Sequence, residues 1–209
     1  MSGRFLGPAA AATRLILASG SATRATLLRN AGLAFEQIPA PVDEDELKRS
    51  MQAEGADAAA TAMALAELKA RRVSQRAPGA LVIGADQMLV AEGKWFDKPT
   101  DRAAAAAQLA ALAGKSHRLI SAACVFRDGE RIWGKHEHAT LLMRSLSAGF
   151  IAQYLDAVGA AALQSVGAYQ LEGLGVNLFA RVDGDHFVIL GLPLLPLLDF
   201  LRGHGIVPA

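Results

Sequence analysis

One stretch near the N-terminus organises the chain: Leu15-Ile16-Leu17-Ala18-Ser19-Gly20-Ser21-Ala22-Thr23-Arg24-Ala25-Thr26-Leu27-Leu28. Its apolar start is typical of a buried strand, its small residues predict a turn, and a helical pattern begins at Thr23. Such a turn directs backbone N–H groups outward at the positive end of a helix dipole, which suits an anion such as phosphate. Arg24 would add a forked cation for phosphate oxygens. A purely structural interpretation also fits, in which Ser21 caps the helix and Arg24 is a solvated surface residue.

The composition is that of an ordinary globular protein. Of 209 residues, 52% are hydrophobic and 20% are charged, and the net charge is +1. This near-neutral charge disfavours a nucleic acid polymer as partner. No apolar run reaches the roughly 18 residues of a membrane helix, so we expect no membrane partner. The single cysteine, Cys124, excludes an internal disulfide and fits the cytoplasmic location that we expect.

A second stretch, residues 80–90, predicts an apolar strand that carries an acid, Asp86, in its middle. Burial of a carboxylate is unfavourable unless it has a partner or a metal. Asp86 is therefore a candidate functional acid, with a buried structural ion pair as the alternative. Gly84 and Ala85 leave room for a ligand or another backbone to come close. Lys98 precedes a proline and is held extended, so it projects either into a cleft or into solvent.

Other charged positions have two interpretations each. The acidic cluster 42–46 favours either a helix N-terminus or carboxylates for metal or acid–base chemistry. Lys69 lies near the end of a helix predicted over 56–72, where the helix dipole favours a cation in any case. His136 and His138 share one face of a strand, but without a third ligand they do not predict a zinc site.

The remaining patterns predict an α/β protein with a mixed sheet, because strands and helices alternate early and β-hairpins follow. Further helices are predicted over 102–112, 148–156 and 194–203. Asp128-Gly129 predicts one hairpin turn, between strands that begin at His117 and Arg131. A second hairpin is predicted across Asp183-Gly184, with residues 186–190 as its returning strand.

Four separated blocks of the chain resemble the Maf family of nucleoside triphosphate pyrophosphatases, and they occur in the family's order. The blocks are Leu17 to Arg24; Val42-Asp43-Glu44; Gly84-Ala85-Asp86, followed by Lys98-Pro99; and Gly167 to Gly175, with Gly191-Leu192-Pro193. The resemblance implies a two-lobed Maf/ITPase-like α/β fold, with an elongated twisted mixed sheet, flanking helices and a central cleft. It places one such domain at residues 14–207, after a flexible N-terminal extension, residues 1–13.

The resemblance also implies a house-cleaning enzyme that hydrolyses a nucleoside triphosphate to the monophosphate and pyrophosphate. A divalent metal, usually Mg²⁺ with Mn²⁺ as the alternative, and frequently a homodimer belong to this expectation. Asp86 matches the family's proton acceptor, and Glu44 matches a carboxylate that could share the metal with it. The positions that match triphosphate-binding groups are Ser19, Ser21, Arg24, Lys69 and Lys98. The sequence leaves open whether Asp86 deprotonates water or holds the metal.

Three positions bear on the nucleobase. Gln87 and Glu172 look like the pair of the 7-methyl-GTP branch, whereas members of the dTTP/UTP type have threonine after the aspartate. An acidic side chain could accept hydrogen bonds from the N1–H and amino groups of guanine. Thr23 departs from that branch, which often has tryptophan there. The predicted substrate is 7-methyl-GTP. The alternatives are a dTTP/UTP-type pyrophosphatase and a non-catalytic nucleotide-binding regulator of cell division and septum formation.

Overall fold

A computed structural model describes residues 6–209 of the chain. Its strands are β1 (Leu15–Leu17), β2 (Glu36–Gln37), β3 (Leu81–Ala91), β4 (Lys94–Phe96), β5 (Ser116–Arg127), β6 (Glu130–Met143) and β7 (Phe179–Asp183). Its α-helices are α1 (Ala22–Asn30), α2 (Glu44–Ala53), α3 (Ala58–Ser74), α4 (Arg102–Leu112), α5 (Ala148–Val158), α6 (His186–Ile189) and α7 (Leu194–Gly203), and short 3₁₀ helices span Gly159–Leu163, Val166–Ala168 and Leu174–Leu178. The strands form one sheet in the order β2-β1-β3-β5-β6-β7, and β4 pairs with β3.

The sheet is mixed, as the sequence predicts. Strand β1 runs parallel to both β2 and β3, whereas β4 is antiparallel to β3 and β7 is antiparallel to β6. Parallel neighbours need long connections, and α1 and the pair α2–α3 supply them. Strands β5 and β6 are joined by Asp128 and Gly129, whose φ angles of 52° and 83° are those of a type I′ turn. The predicted α/β class and the first predicted hairpin are confirmed.

The described chain divides into two compact units. The first contains residues 6–87, 121–137 and 191–209, and the second contains residues 88–120 and 138–190. In the first unit the largest fully buried side chains include Ile16, Leu17, Leu28, Leu65, Leu81 and Ile83. In the second unit they include Leu89, Leu109, Leu112 and Leu119. The expected single domain over 14–207 and its central cleft stay predictions.

Part of the expected N-terminal extension is anchored within the first unit. The backbone N–H of Gly7 donates to the carbonyl of Ile206 at 2.9 Å, and that of Ala9 donates to the carbonyl of Gly205 at 2.8 Å. A Cβ at Gly7 would lie 2.2 Å from the Gly205 carbonyl oxygen, so this contact requires glycine. The flexibility expected over residues 1–13 stays a prediction, and residues 1–5 of that segment lie outside the described residues.

The second predicted hairpin is wrong. After β7 the chain forms the short helix α6 in place of a strand over residues 186–190. The Asp185 carboxylate accepts hydrogen bonds from the backbone N–H groups of Phe187, at 2.7 Å, and Val188, at 3.1 Å. A short apolar run satisfies both the strand period and the helix period, and the N-cap Asp185 favours the helix. No helix within residues 6–209 is long and apolar enough to cross a membrane.

Candidate active site

The serine-rich turn between β1 and α1 is held by its own side chains. Ser19 Oγ accepts hydrogen bonds from the backbone N–H of Ser21, at 3.3 Å, and from Nη1 of Arg24, at 3.1 Å. Ser21 Oγ accepts from the backbone N–H of Arg24 at 3.3 Å, so Ser21 is the N-cap of α1. The strand–turn–helix order and the capping role of Ser21 are confirmed. Phosphate binding by Ser19 and Ser21 stays a prediction.

Arg24 is buried, so its interpretation as a solvated surface residue is wrong. Its Nε donates to the carbonyl of Gly191 at 2.8 Å, and its Nη1 donates to the carbonyl of Ala85 at 3.1 Å as well as to Ser19. Burial lowers the pKa of the guanidinium, while the charges of Asp86 and Glu44 oppose that shift. These contacts fix a cation beside the turn and beside the residue that precedes Asp86.

Three charged side chains are joined by ion pairs, and we call them the ion cluster: Glu44, Lys69 and Asp86. Lys69 Nζ lies 2.6 Å from Glu44 Oε1 and 2.6 Å from Asp86 Oδ1. Asp86 and Lys69 are only 5% and 7% exposed, whereas the Glu44 side chain is 41% exposed. Lys69 is thus the ion-pair partner of both carboxylates. The structure therefore brings three predicted site residues to one point, from β3, α3 and the first turn of α2.

The two interpretations of the acidic cluster 42–46 apply to different residues. Asp43 is the N-cap of α2, and its side chain accepts from the backbone N–H of Glu46 at 2.9 Å. Glu44, the first residue of the helix, turns its carboxylate to Lys69 instead. Burial raises the pKa of Glu44, but Lys69, Lys48 and Arg24 together lower it below its ordinary value. Glu44 is therefore held in the charged form.

Gly84 allows α3 to approach β3 closely enough to form the ion cluster. A Cβ at Gly84 would lie 2.1 Å from the carbonyl oxygen of Ala66 and 2.8 Å from the Cβ of Ala70. Gly84 stands two residues before Asp86, on the same face of β3, and Ala66 stands one helical turn before Lys69. The small residue thus admits another backbone, which is one of the two roles that the sequence suggested for it.

The residue after Asp86 has a partner that sequence reasoning missed. Gln87 Nε2 donates to Ser121 Oγ at 3.0 Å, and Ser121 is fully buried in β5. The signal in the sequence is a lone hydroxyl inside the apolar run of residues 119–126, which needs a buried partner. A second such contact is made by Gln37, whose Nε2 donates to the carbonyl of Ser19 at 2.9 Å. Gln37 thus helps to fix the backbone of the serine-rich turn.

Comparison with known proteins identifies the chain's family. A family model described as Maf-like protein matches residues 14–204. The chain belongs to the Maf family. A relative from Paramagnetospirillum magneticum, named nucleoside triphosphate pyrophosphatase, is 58% identical over 91% of this chain and 98% of its own length. A relative from Mesorhizobium japonicum, named 7-methyl-GTP pyrophosphatase, is 50% identical over 93% and 98%. Among solved structures, a nucleoside-triphosphatase / dITP/XTP pyrophosphatase from Mycobacterium abscessus is 15% identical, with a TM-score of 0.46 over 92% of this chain and 98% of that one.

The other predicted site residues of this Maf protein are Thr23, Lys98 and Glu172. Thr23 is half-buried in the first turn of α1. Lys98 follows β4, Glu172 lies in the glycine-rich segment 167–175, and both are exposed residues of the second unit. The roles of these three residues toward a nucleotide stay predictions.

The glycine-rich segment 167–175 is a series of tight turns anchored inside the second unit. Tyr169 is buried, and its hydroxyl lies 2.7 Å from Nε2 of His117. A Cβ at Gly175 would lie 2.4 Å from the carbonyl oxygen of Gln170, so the backbone folds back on itself there. This packing places Glu172 on an exposed turn between two anchored residues.

The carboxylates of the ion cluster fit the metal that the family implies. Mg²⁺ prefers hard oxygen ligands and is usually held by one or two carboxylates together with water and substrate phosphates. Glu44 and Asp86 supply two carboxylates that already converge on one cation, the Lys69 ammonium. Within residues 6–209 no group of three or more His, Cys, Asp or Glu side chains could hold a metal.

Proposed function

We propose that this Maf protein is a nucleoside triphosphate pyrophosphatase that hydrolyses 7-methyl-GTP to 7-methyl-GMP and pyrophosphate. The ion cluster carries the proposal, because it combines two carboxylates with a lysine. Arg24 and the serine-rich N-terminus of α1 lie nearby. The relative at 58% identity, named nucleoside triphosphate pyrophosphatase, supports the activity. The relative at 50% identity, named 7-methyl-GTP pyrophosphatase, supports the substrate. Such an enzyme is a hydrolase acting on acid anhydrides.

The turn between β1 and α1 would bind the phosphates. The N-terminus of α1 offers backbone N–H groups at the positive end of the helix dipole, and Ser19 and Ser21 add hydroxyls there. Arg24 is fixed by three acceptors, so its charge is preorganised and needs no rearrangement when the triphosphate binds. Lys98 would add a further cation, as the family resemblance implies.

Asp86 would accept the proton of the attacking water. The water oxygen bonds to phosphorus, the bridging P–O bond breaks, and pyrophosphate leaves with the bond's electrons while the proton passes to the carboxylate. Lys69 holds Asp86 Oδ1 in the nucleotide-free protein, and with the nucleotide bound it would stabilise charge that develops on the leaving phosphates. A bound divalent metal, held by Glu44 and Asp86, would supply further charge neutralisation.

The preference for a guanine base would depend on Gln87 and Glu172. Guanine presents the N1–H and the amino group as neighbouring donors, which an acidic acceptor such as Glu172 matches and a pyrimidine does not supply. Gln87 is held in one orientation by Ser121, so its amide is preorganised for recognition. Thr23 would be a third residue that bears on base preference. The 7-methyl-GTP branch often has tryptophan at this position.

The test is pyrophosphate release with Mg²⁺ from 7-methyl-GTP, GTP, dTTP, UTP and CTP. We expect the highest kcat/KM for 7-methyl-GTP. A preference for dTTP or UTP would retain the activity and contradict the proposed substrate. Binding of nucleotides without any release of pyrophosphate would contradict the activity and favour a nucleotide-binding regulator.

The variant Asp86→Asn tests the assignment of the proton acceptor. It keeps the size of the side chain and removes its charge, while Lys69 keeps Glu44 as a partner, so the fold should persist. We expect turnover to fall by about 100-fold or more, the usual contribution of a general base. Asp156→Asn is the matched control, because Asp156 pairs with Arg102 at the surface. Near-normal turnover of Asp86→Asn would refute the assignment.

A further inference from the structure

In the ion cluster, the ammonium of Lys69 contacts both carboxylates and so occupies the place where the metal would bind. We infer that Lys69 keeps the two carboxylates closed to a divalent cation until a nucleotide triphosphate offers its ammonium other partners. The metal would then bind together with the nucleotide, and the free protein would bind it only weakly. This inference rests on the proposed function, since it concerns the same site.

The distances show why the two cations compete. Glu44 Oε1 and Asp86 Oδ1 each lie 2.6 Å from Lys69 Nζ, so these two oxygens are at most twice that distance apart. A divalent cation held by both oxygens would occupy the same small space as the ammonium. Two cations at contact distance repel each other strongly in a poorly solvated environment. Lys69 must therefore leave at least one of these two oxygens before both can bind the same metal ion.

The charges of the site lead to the same conclusion. The carboxylates of Glu44 and Asp86 are balanced by Lys69 and by the buried Arg24, which acts electrostatically on both of them. A divalent cation that arrives alone finds no excess of negative charge and would leave the site positively charged. A triphosphate brings several negative charges, so the metal and the nucleotide together restore the balance.

Lys69 has the flexibility for this exchange. Its ammonium is a point charge on a four-carbon stem, and it forms ion pairs without the fixed geometry that a guanidinium requires. Glu44 is the more exposed of the two acids and lies in the first turn of α2, so the cluster is open to ligands on that side. Phosphate oxygens that approach there would replace the carboxylates as partners of Lys69.

The experiment is a titration of the nucleotide-free protein with Mn²⁺ alone, in which electron paramagnetic resonance measures the concentration of unbound Mn²⁺. Lys69→Met removes the ammonium and keeps the length of the side chain, so we expect Mn²⁺ to bind at least about tenfold more tightly. Lys115→Met is the matched control, because Lys115 forms a surface ion pair with Glu92 at 2.8 Å. It should bind Mn²⁺ as the wild type does. Equal affinity of the wild type and Lys69→Met would overturn the inference.

Two further measurements cover the case in which Lys69→Met does not fold. Lys69→Gln keeps a donor for one carboxylate and should also bind Mn²⁺ more tightly than the wild type. In the wild type, Mn²⁺ alone should leave the Tm unchanged, whereas Mn²⁺ with an α,β-methylene nucleotide should raise it. A Tm raised to the same extent by Mn²⁺ alone would overturn the inference.

Pyrophosphate release, measured on the same wild-type preparation, separates the two proposals. Normal release together with equal Mn²⁺ affinities would refute only the role of Lys69. Absence of release from every nucleotide would refute the proposed function, while the Mn²⁺ titration would still report whether the lysine competes with the metal.

Discussion

Acidification should destabilise the protein through one buried histidine of the second unit, His117. The side chain is 2% exposed, and its Nε2 lies 2.7 Å from the hydroxyl of Tyr169. Its Nδ1 is buried, with no hydrogen-bond partner among residues 6–209. The rings of Tyr169 and Phe179 pack against it, with centroids 5.6 and 5.9 Å away. Burial therefore lowers the pKa of His117 from 6.5 to about 4.

The sign and size of the effect follow from the two pKa values. Above pH 6.5 the histidine is neutral in both the folded and the unfolded chain, so it contributes no pH dependence. Between that pH and about 4 the unfolded chain binds a proton that the folded chain does not, so the free energy of unfolding falls as the pH falls. The loss is about 1.4 kcal/mol for each pH unit, which amounts to about 3 kcal/mol near pH 4.

Urea unfolding at several pH values between about 7 and 4 would measure this loss. His117→Gln keeps a polar partner for Tyr169 and removes the titration, so its free energy of unfolding should fall less steeply, by about 1.4 kcal/mol per pH unit. His204→Gln is the matched control, because His204 is exposed and contacts the carbonyl of Phe200. The reasoning is refuted if the wild type and His117→Gln have the same pH dependence.

Two further substitutions test the site. Gly84→Ala would place a Cβ 2.1 Å from the Ala66 carbonyl and push α3 away from β3, so urea unfolding should show a loss of about 3 kcal/mol, together with reduced turnover. Gly203→Ala, whose Cβ would meet no atom within 4 Å, should lower neither quantity. Glu172→Ala should change the preference among nucleotides more than the kcat on the best substrate. Equal loss of kcat/KM on every nucleotide would contradict a role in base recognition.

Elements with local signals were predictable from the sequence. Helix α4 begins after Asp101, whose side chain caps it, and it has the bounds that the pattern predicts, Arg102–Leu112. The turn Asp128-Gly129 was predictable for the same reason, since these residues tolerate the positive φ angles that it needs. Residues 186–190 show the limit, because five mainly apolar residues satisfy the strand period and the helix period equally well. Only the capping by Asp185 distinguishes the two.

The sequence predicted which residues belong to the ion cluster but not the contacts between them. The buried acid in an apolar strand pointed to Asp86, and the acidic run 42–46 included Glu44. The partnership of Lys69 with both acids was not predictable, since 17 residues separate it from Asp86 and the helix dipole explained its position equally well. The contact depends on how closely α3 approaches β3, which Gly84 determines.

Structural and functional interpretations of a residue are not exclusive in this site. Ser21 caps α1, and the same cap organises the N-terminal N–H groups that would face a phosphate. Arg24 is held by Gly191, Ala85 and Ser19, and that restraint is what would make its charge effective toward an anion. Lys69 stabilises the carboxylates in the free protein through the contacts that a nucleotide would have to replace. A site that binds a highly charged substrate must balance its own charges while empty, so the groups that balance them are also the groups available to the substrate.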